Sequence, residues 1–161
     1  MCRERLGDAL GLDPSSASAL LCRARSLPVV IADGTRLPFA SGSVDVVRAK
    51  EILEHIPDLL AFVRDIRRVL KPGGLFLSQT PTQYSILYPV TNFYDDYTHI
   101  RPLTRFGIRR LLADAGLETL YIRGYTVGRN PVERLLGRVL GRLFPLSWVA
   151  LARKPSATSI R

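Results

Sequence analysis

The chain has 161 residues, 47% of them hydrophobic, with two cysteines and a net charge of +9, which is enough for one compact domain with its own core and too little to expect two. Two cysteines exclude a disulfide framework and a cysteine-only zinc site, and both are expected as thiols. No apolar run approaches the roughly 18 residues that a membrane span requires, and the start MCRERLGDAL is charged without the apolar core of a secretion signal, so a cytoplasmic location is expected.

DALGLD, Asp8 to Asp13, reads as a short strand, after which Pro14 opens a helix carrying Ala17, Leu20, Leu21 and Ala24 on one face. LPVVIAD is the second strand, and its unbroken apolar run from Val29 to Ala32 predicts a parallel strand covered on both faces. The loop GTRLPFASGS leads to a third strand, VDVVRA. Asp58 then precedes Leu59, Phe62, Val63, Ile66, Val69 and Leu70, spaced as one face of an amphipathic helix that KPGG stops. GLFLSQTP is the fourth strand.

After a loop rich in Tyr, Asp and Thr, Thr104 is expected to cap a helix carrying Ile108, Leu111, Leu112 and Ala115 and closed by Gly116. LETLYIRGYTV reads as a fifth strand and SWVALARK as the last, with a frayed tail after it. Between them, residues 131 to 143 form a basic amphipathic helix, with Leu135, Leu136, Val139, Leu140 and Leu143 on one side and Arg134, Arg138 and Arg142 at every fourth position. Residues 129 to 161 hold seven Arg or Lys against one Glu. Such a helix either meets an anionic membrane surface from the inner side, which suits a lipid-linked acceptor, or covers a sheet edge with its arginines in water. Alternating strands and helices predict an α/β, doubly wound, mostly parallel sheet in a single domain over 1–161, with ligands beyond the carboxyl ends of the strands.

Asp13 and Asp33 both close predicted strands. A carboxylate at a strand tip can accept from the paired hydroxyls of a ribose or from an exocyclic amine, and Gly34 lets a backbone approach a ring. The plain alternative is that Asp13 caps the following helix and Asp33 makes a turn with Gly34.

In order, GLDPS, ADGTRLPFASGSVDVV, EILEH and RVLKPGGLFLSQTP resemble the signature segments of class I S-adenosylmethionine-dependent methyltransferases, over about residues 8 to 127. The resemblance implies a Rossmann-like fold and S-adenosyl-L-methionine as cofactor. It assigns Asp13 to the ribose hydroxyls, Asp33 to the adenine amino group with Gly34 beside the ring, and Ala49 and Lys50 to the methionine end. Glu54 and His55 would close the site from beneath, His55 as a structural residue. The family's glycine-rich loop lies about 20 residues before its ribose-binding acid, whereas twelve residues precede Asp13. The first strand, its loop and the helix after it are therefore expected to be missing, leaving a gap between the strands ending at Asp13 and Ala49.

The implied activity is methyl transfer to a small-molecule, sugar or lipid-linked acceptor; the alternative is an inactive remnant or partner-binding domain. On the acceptor side, in YDDYTHIRPLT, His99 is the candidate base, with Arg101 and Tyr94 facing substrate. The competing account has His99 and Arg101 tying the loop to Asp95 or Asp96. Tyr84, Tyr88 and Tyr97 either stack on substrate or pack. No metal-ligand set is assigned. A nicotinamide-dependent reductase is disfavoured because no Tyr is followed four residues later by Lys, and nucleic-acid binding because no motif accompanies the charge.

Overall fold

The computed structural model describes residues 9–32, 34, 36–84, 93–126 and 144–156. The chain forms two compact units, Met1–Phe39 and Ala40–Arg161. Asp33, Tyr88 and the expected helix over 131–143 lie outside the described residues.

In the first unit, β1 (Gly11–Asp13) pairs in parallel with β2 (Val29–Ile31), Asp13 standing opposite Ile31. Between them runs α1 (Ser16–Ala24). Its cap is Ser15, whose hydroxyl accepts from Ser18 N at 3.2 Å, while Asp13 Oδ1 accepts from Ser15 N at 2.8 Å. Asp13 thus shapes the turn into the helix and leaves the capping to Ser15. The expected parallel direction holds, but the expected covering does not. Ala19 is the residue of α1 that is buried, Leu20 and Leu21 are each 65% exposed, and Ile31 is 47% exposed. Two strands of three residues offer too little surface to cover a helix face or to be covered on both sides.

The second unit holds a four-stranded sheet in the order β3 (Val44–Lys50), β4 (Leu70–Pro81), β6 (Ser147–Arg153), β5 (Glu118–Tyr125). β3 and β4 are parallel, and β6 runs antiparallel to both β4 and β5, so it alone is reversed. Its helices are α2 (Leu59–Val69) and α3 (Arg105–Asp114). Both begin where the sequence places them: Asp58 Oδ1 accepts from Ala61 N at 3.0 Å, and Thr104 Oγ1 from Gly107 N at 2.9 Å. The apolar stripe of α2, Leu59, Phe62, Val63, Ile66 and Val69, is buried throughout, as are Ile108 and Leu112 of α3. α2 packs beside α3 and against β4, and α3 also meets β5 and β6.

KPGG ends α2 as expected but belongs to β4, which starts at Leu70 without a loop. The register slips between Val44 and Val46 to absorb the turn, and Gly73 there has φ +80°, a conformation open to glycine. Beyond it β4 alternates cleanly, with Phe76, Ser78 and Thr80 fully buried on one face. That alternation delivers Thr80 to the site. Among the described residues no helix is long and apolar enough to cross a membrane.

Candidate active site

Because β3 and β4 are parallel, their carboxyl ends lie at the same edge of the sheet, the side on which open α/β sheets bind ligands. Glu51 follows β3 with φ +52°, a left-handed residue that swings the chain out of the strand. Its N–H donates to Gln79 O at 2.7 Å, which ties the exit of β3 to the end of β4. The chain then makes a single 3-10 turn, Leu53–His55.

The segment 93–101 lies against this turn and is stitched to it. Ile100 N donates to Glu54 O at 2.9 Å, and Arg101 Nη2 donates to Pro57 O at 2.9 Å. Asp96 Oδ1 accepts from both Thr98 N at 2.9 Å and Thr98 Oγ1 at 2.6 Å. These bonds to Thr98 hold the Asp96 carboxyl below its ordinary value. Residues 26 to 46 positions apart in the chain therefore meet in one small cluster.

Two imidazoles occupy it, with ring centroids 4.7 Å apart. His99 stacks on buried Phe93 at 4.4 Å, and its Nδ1 lies 2.6 Å from Phe93 O. A carbonyl can only accept, so Nδ1 carries a proton, and in the uncharged ring Nε2 is the nitrogen with the lone pair. His55 Nδ1 lies 2.9 Å from Thr98 Oγ1, whose own proton goes to Asp96, and 3.3 Å from Thr98 O. His55 too must donate from Nδ1. In their uncharged form both rings would therefore present Nε2 as the acceptor nitrogen.

Glu54 completes the cluster and is fully buried. Its Oε2 accepts from Thr80 Oγ1 at 2.9 Å, while Oε1 is buried with no hydrogen-bond partner among the described residues. Burial pushes its carboxyl above the ordinary 4.5, outweighing the backbone and Thr80 hydrogen bonds and the nearby imidazoles.

The structure thus brings His99 and the EILEH segment together. His99 Nε2 lies 4.0 Å from Asp96 Oδ2, and Arg101 donates to Pro57 O. Tyr94 is 60% exposed and meets Phe93 edge-on at 5.2 Å. Tyr97 is almost fully exposed, and Tyr84 packs edge-on against Phe144. Ala49 is buried and Lys50 exposed at the end of β3. In the other unit, Asp13 Oδ2 has no hydrogen-bond partner among the described residues. Thr80 and Thr98 were not foreseen; the buried period of β4 pointed to Thr80, but nothing local marked Thr98.

A family profile described as a methyltransferase domain matches residues 1–78. A probable S-adenosylmethionine-dependent methyltransferase of Mycolicibacterium smegmatis is 36% identical over 115 residues, covering 68% of this chain and 43% of that protein. The chain spans less than half the length of that relative. A chain from the complex between the Haloferax volcanii Trm112 methyltransferase activator and a putative methyltransferase superposes with a TM-score of 0.80 at 20% identity, over 96% of this chain and 76% of that one. A SAM-dependent methyltransferase from Archaeoglobus fulgidus gives 0.75 at 20% identity, over 95% and 79%. At that identity the likeness establishes the fold.

Proposed function

The chain belongs to the class I S-adenosylmethionine-dependent methyltransferases, and from that premise we propose that it serves methyl transfer to a small-molecule acceptor, sugar or lipid-linked groups included. The observation that carries this reading is the His99 ring, pinned through Nδ1 to Phe93 O beside the turn that leaves the carboxyl end of β3.

Among the described residues, the groups assigned to the cofactor have the chemistry it needs within each unit, which supports the reading. In the first, Asp13 spends one carboxylate oxygen on Ser15 N and keeps the other for a hydroxyl donor. Gly34 follows as the small residue beside the ring, and Asp33 is assigned to the adenine amine. In the second, Ala49 and Lys50 end the parallel strand β3 and offer backbone groups. S-adenosylmethionine, when bound, supplies a methyl carbon activated by its sulfonium.

On the acceptor side the work of the chain is alignment and proton removal. His99 Nε2 accepts the proton of an acceptor hydroxyl, and the Phe93 carbonyl steadies the imidazolium that results. Arg101, held by one N–H on Pro57 O, offers its remaining donors to an anionic group, and exposed Tyr94 offers a ring face.

Equilibrium dialysis with methyl-labelled S-adenosylmethionine tests the reading. Saturable binding, with label passing to an acceptor fraction and slowed in His99→Gln, is expected. Absence of saturable binding would overturn it in favour of a non-catalytic, partner-binding role.

A further inference from the structure

We infer that Glu54, His55 and His99 form a binding site for one divalent transition-metal ion. One ligand atom from each of the three lies within 4.8 Å of the others. All three belong to the second unit and are brought together by the backbone stitching of two segments far apart in the chain.

Two independent features give the cluster the chemistry of a metal centre. Glu54 presents a buried carboxylate oxygen without a hydrogen-bond partner among the described residues, an arrangement that buried polar groups rarely tolerate unless something else satisfies them. Each histidine gives its Nδ1 proton to an oxygen acceptor, His99 to Phe93 O and His55 to Thr98. In metal sites that outer bond fixes the tautomer and turns Nε2 towards the ion. Thr98 is in turn held by Asp96 at 2.6 Å, so the support of His55 is itself anchored to a carboxylate.

Two imidazoles and one carboxylate are borderline donors that suit zinc, cobalt, manganese or iron(II) better than magnesium or calcium, which prefer all-oxygen shells. Ligand atoms around such an ion stand about 3.4 Å apart, so binding draws the three side chains inward by about 1 Å. Three protein ligands leave positions open for water or for an oxygen of the acceptor, whose hydroxyl the ion would acidify. The two roles of His99 belong to two states of the protein: without an ion Nε2 is the proton acceptor of the reading above, and with an ion bound that lone pair goes to the metal, which would then acidify the acceptor hydroxyl in its place.

The test needs no cofactor, so its failure is separable from failure of the methyltransferase reading. Chelator-treated wild-type chain is titrated with Co2+ and followed by visible absorption and by bound metal after dialysis. One Co2+ per chain is expected, with affinity reduced tenfold or more in Glu54→Gln and in His99→Gln. Nitrogen NMR of the labelled wild-type chain reads the same site without substitution, since His55 and His99 are its only histidines. Zn2+ should shift Nε2 of both rings. Rings left unshifted at saturating Zn2+, or Co2+ affinity unchanged in both variants, would overturn the assignment.

Discussion

The Thr80 hydroxyl donates to the buried carboxylate of Glu54 at 2.9 Å, joining β4 to the turn after β3 across 26 positions of chain. With Oε1 already lacking a partner, this bond is the side-chain partner that Glu54 keeps. Thr80→Val preserves shape and removes the donor. We expect a loss of about 1–3 kcal/mol in urea unfolding, the range for orphaning a buried polar group, with Thr80→Ser close to wild type. An unchanged midpoint in Thr80→Val would show that the carboxylate does not depend on it.

Glu54 also predicts a pH dependence. Burial raises its folded-state pKa above 4.5, whereas the unfolded chain titrates near the ordinary value. The unfolded state then releases its proton first as pH rises. The stability linked to this group is complete below about 4.5 and is lost as pH climbs through the folded-state value. Glu54→Gln removes the titration, so in metal-free buffer the melting temperature of wild type should fall relative to Glu54→Gln on going upward from pH 4.5. Parallel curves for the two proteins would contradict this.

The two helix caps of the second unit give a simpler test. Asp58→Ala and Thr104→Ala each remove an acceptor for a first-turn N–H and should each lower unfolding free energy by about 0.5–2 kcal/mol. Asp58→Asn and Thr104→Ser, which keep an oxygen in place, should recover most of it in the same denaturant titration.

Gly116 closes α3 with φ +77°, and its carbonyl accepts from Arg67 Nε at 3.0 Å. A Cβ there would lie 2.9 Å from that same Nε. Gly116→Ala should therefore cost about 1–2 kcal/mol from the left-handed backbone alone, with further loss as Arg67 is displaced. Calorimetric unfolding of Gly116→Ala against Gly116→Asn, which tolerates this conformation better, separates the two contributions.

Asp13→Ala reads the cofactor assignment. Loss of a charge-assisted acceptor for ribose hydroxyls should weaken S-adenosylmethionine binding by about 1.5–3 kcal/mol in calorimetry. An unchanged dissociation constant would reduce Asp13 to its observed local task of shaping the turn at Ser15.

Much of the fold was legible because its signals are local. The 3.6-residue spacing of Leu59, Phe62, Val63, Ile66 and Val69 named the buried face of α2, and Asp58, Thr104 and Gly116 marked helix ends through bonds that reach three residues or fewer. The exposure of Leu20 and Leu21 in α1 was not legible, because burial depends on how much surface the neighbouring strands provide, and β1 and β2 provide little. His99 was legible as a candidate base by residue type, while its Phe93 and Thr98 surroundings were not.

The sequence by itself determined the strand and helix succession of the described residues and the family, since periodicity, capping and ordered motifs are properties of neighbouring residues. Only the tertiary structure decided that Glu54, His55 and His99 converge, that both rings carry their protons on Nδ1, and that one carboxylate oxygen is left unsatisfied. Those facts depend on Thr80, Phe93 and Thr98 arriving from distant segments. No local pattern encodes which backbone carbonyl or hydroxyl a folded chain will bring to an imidazole.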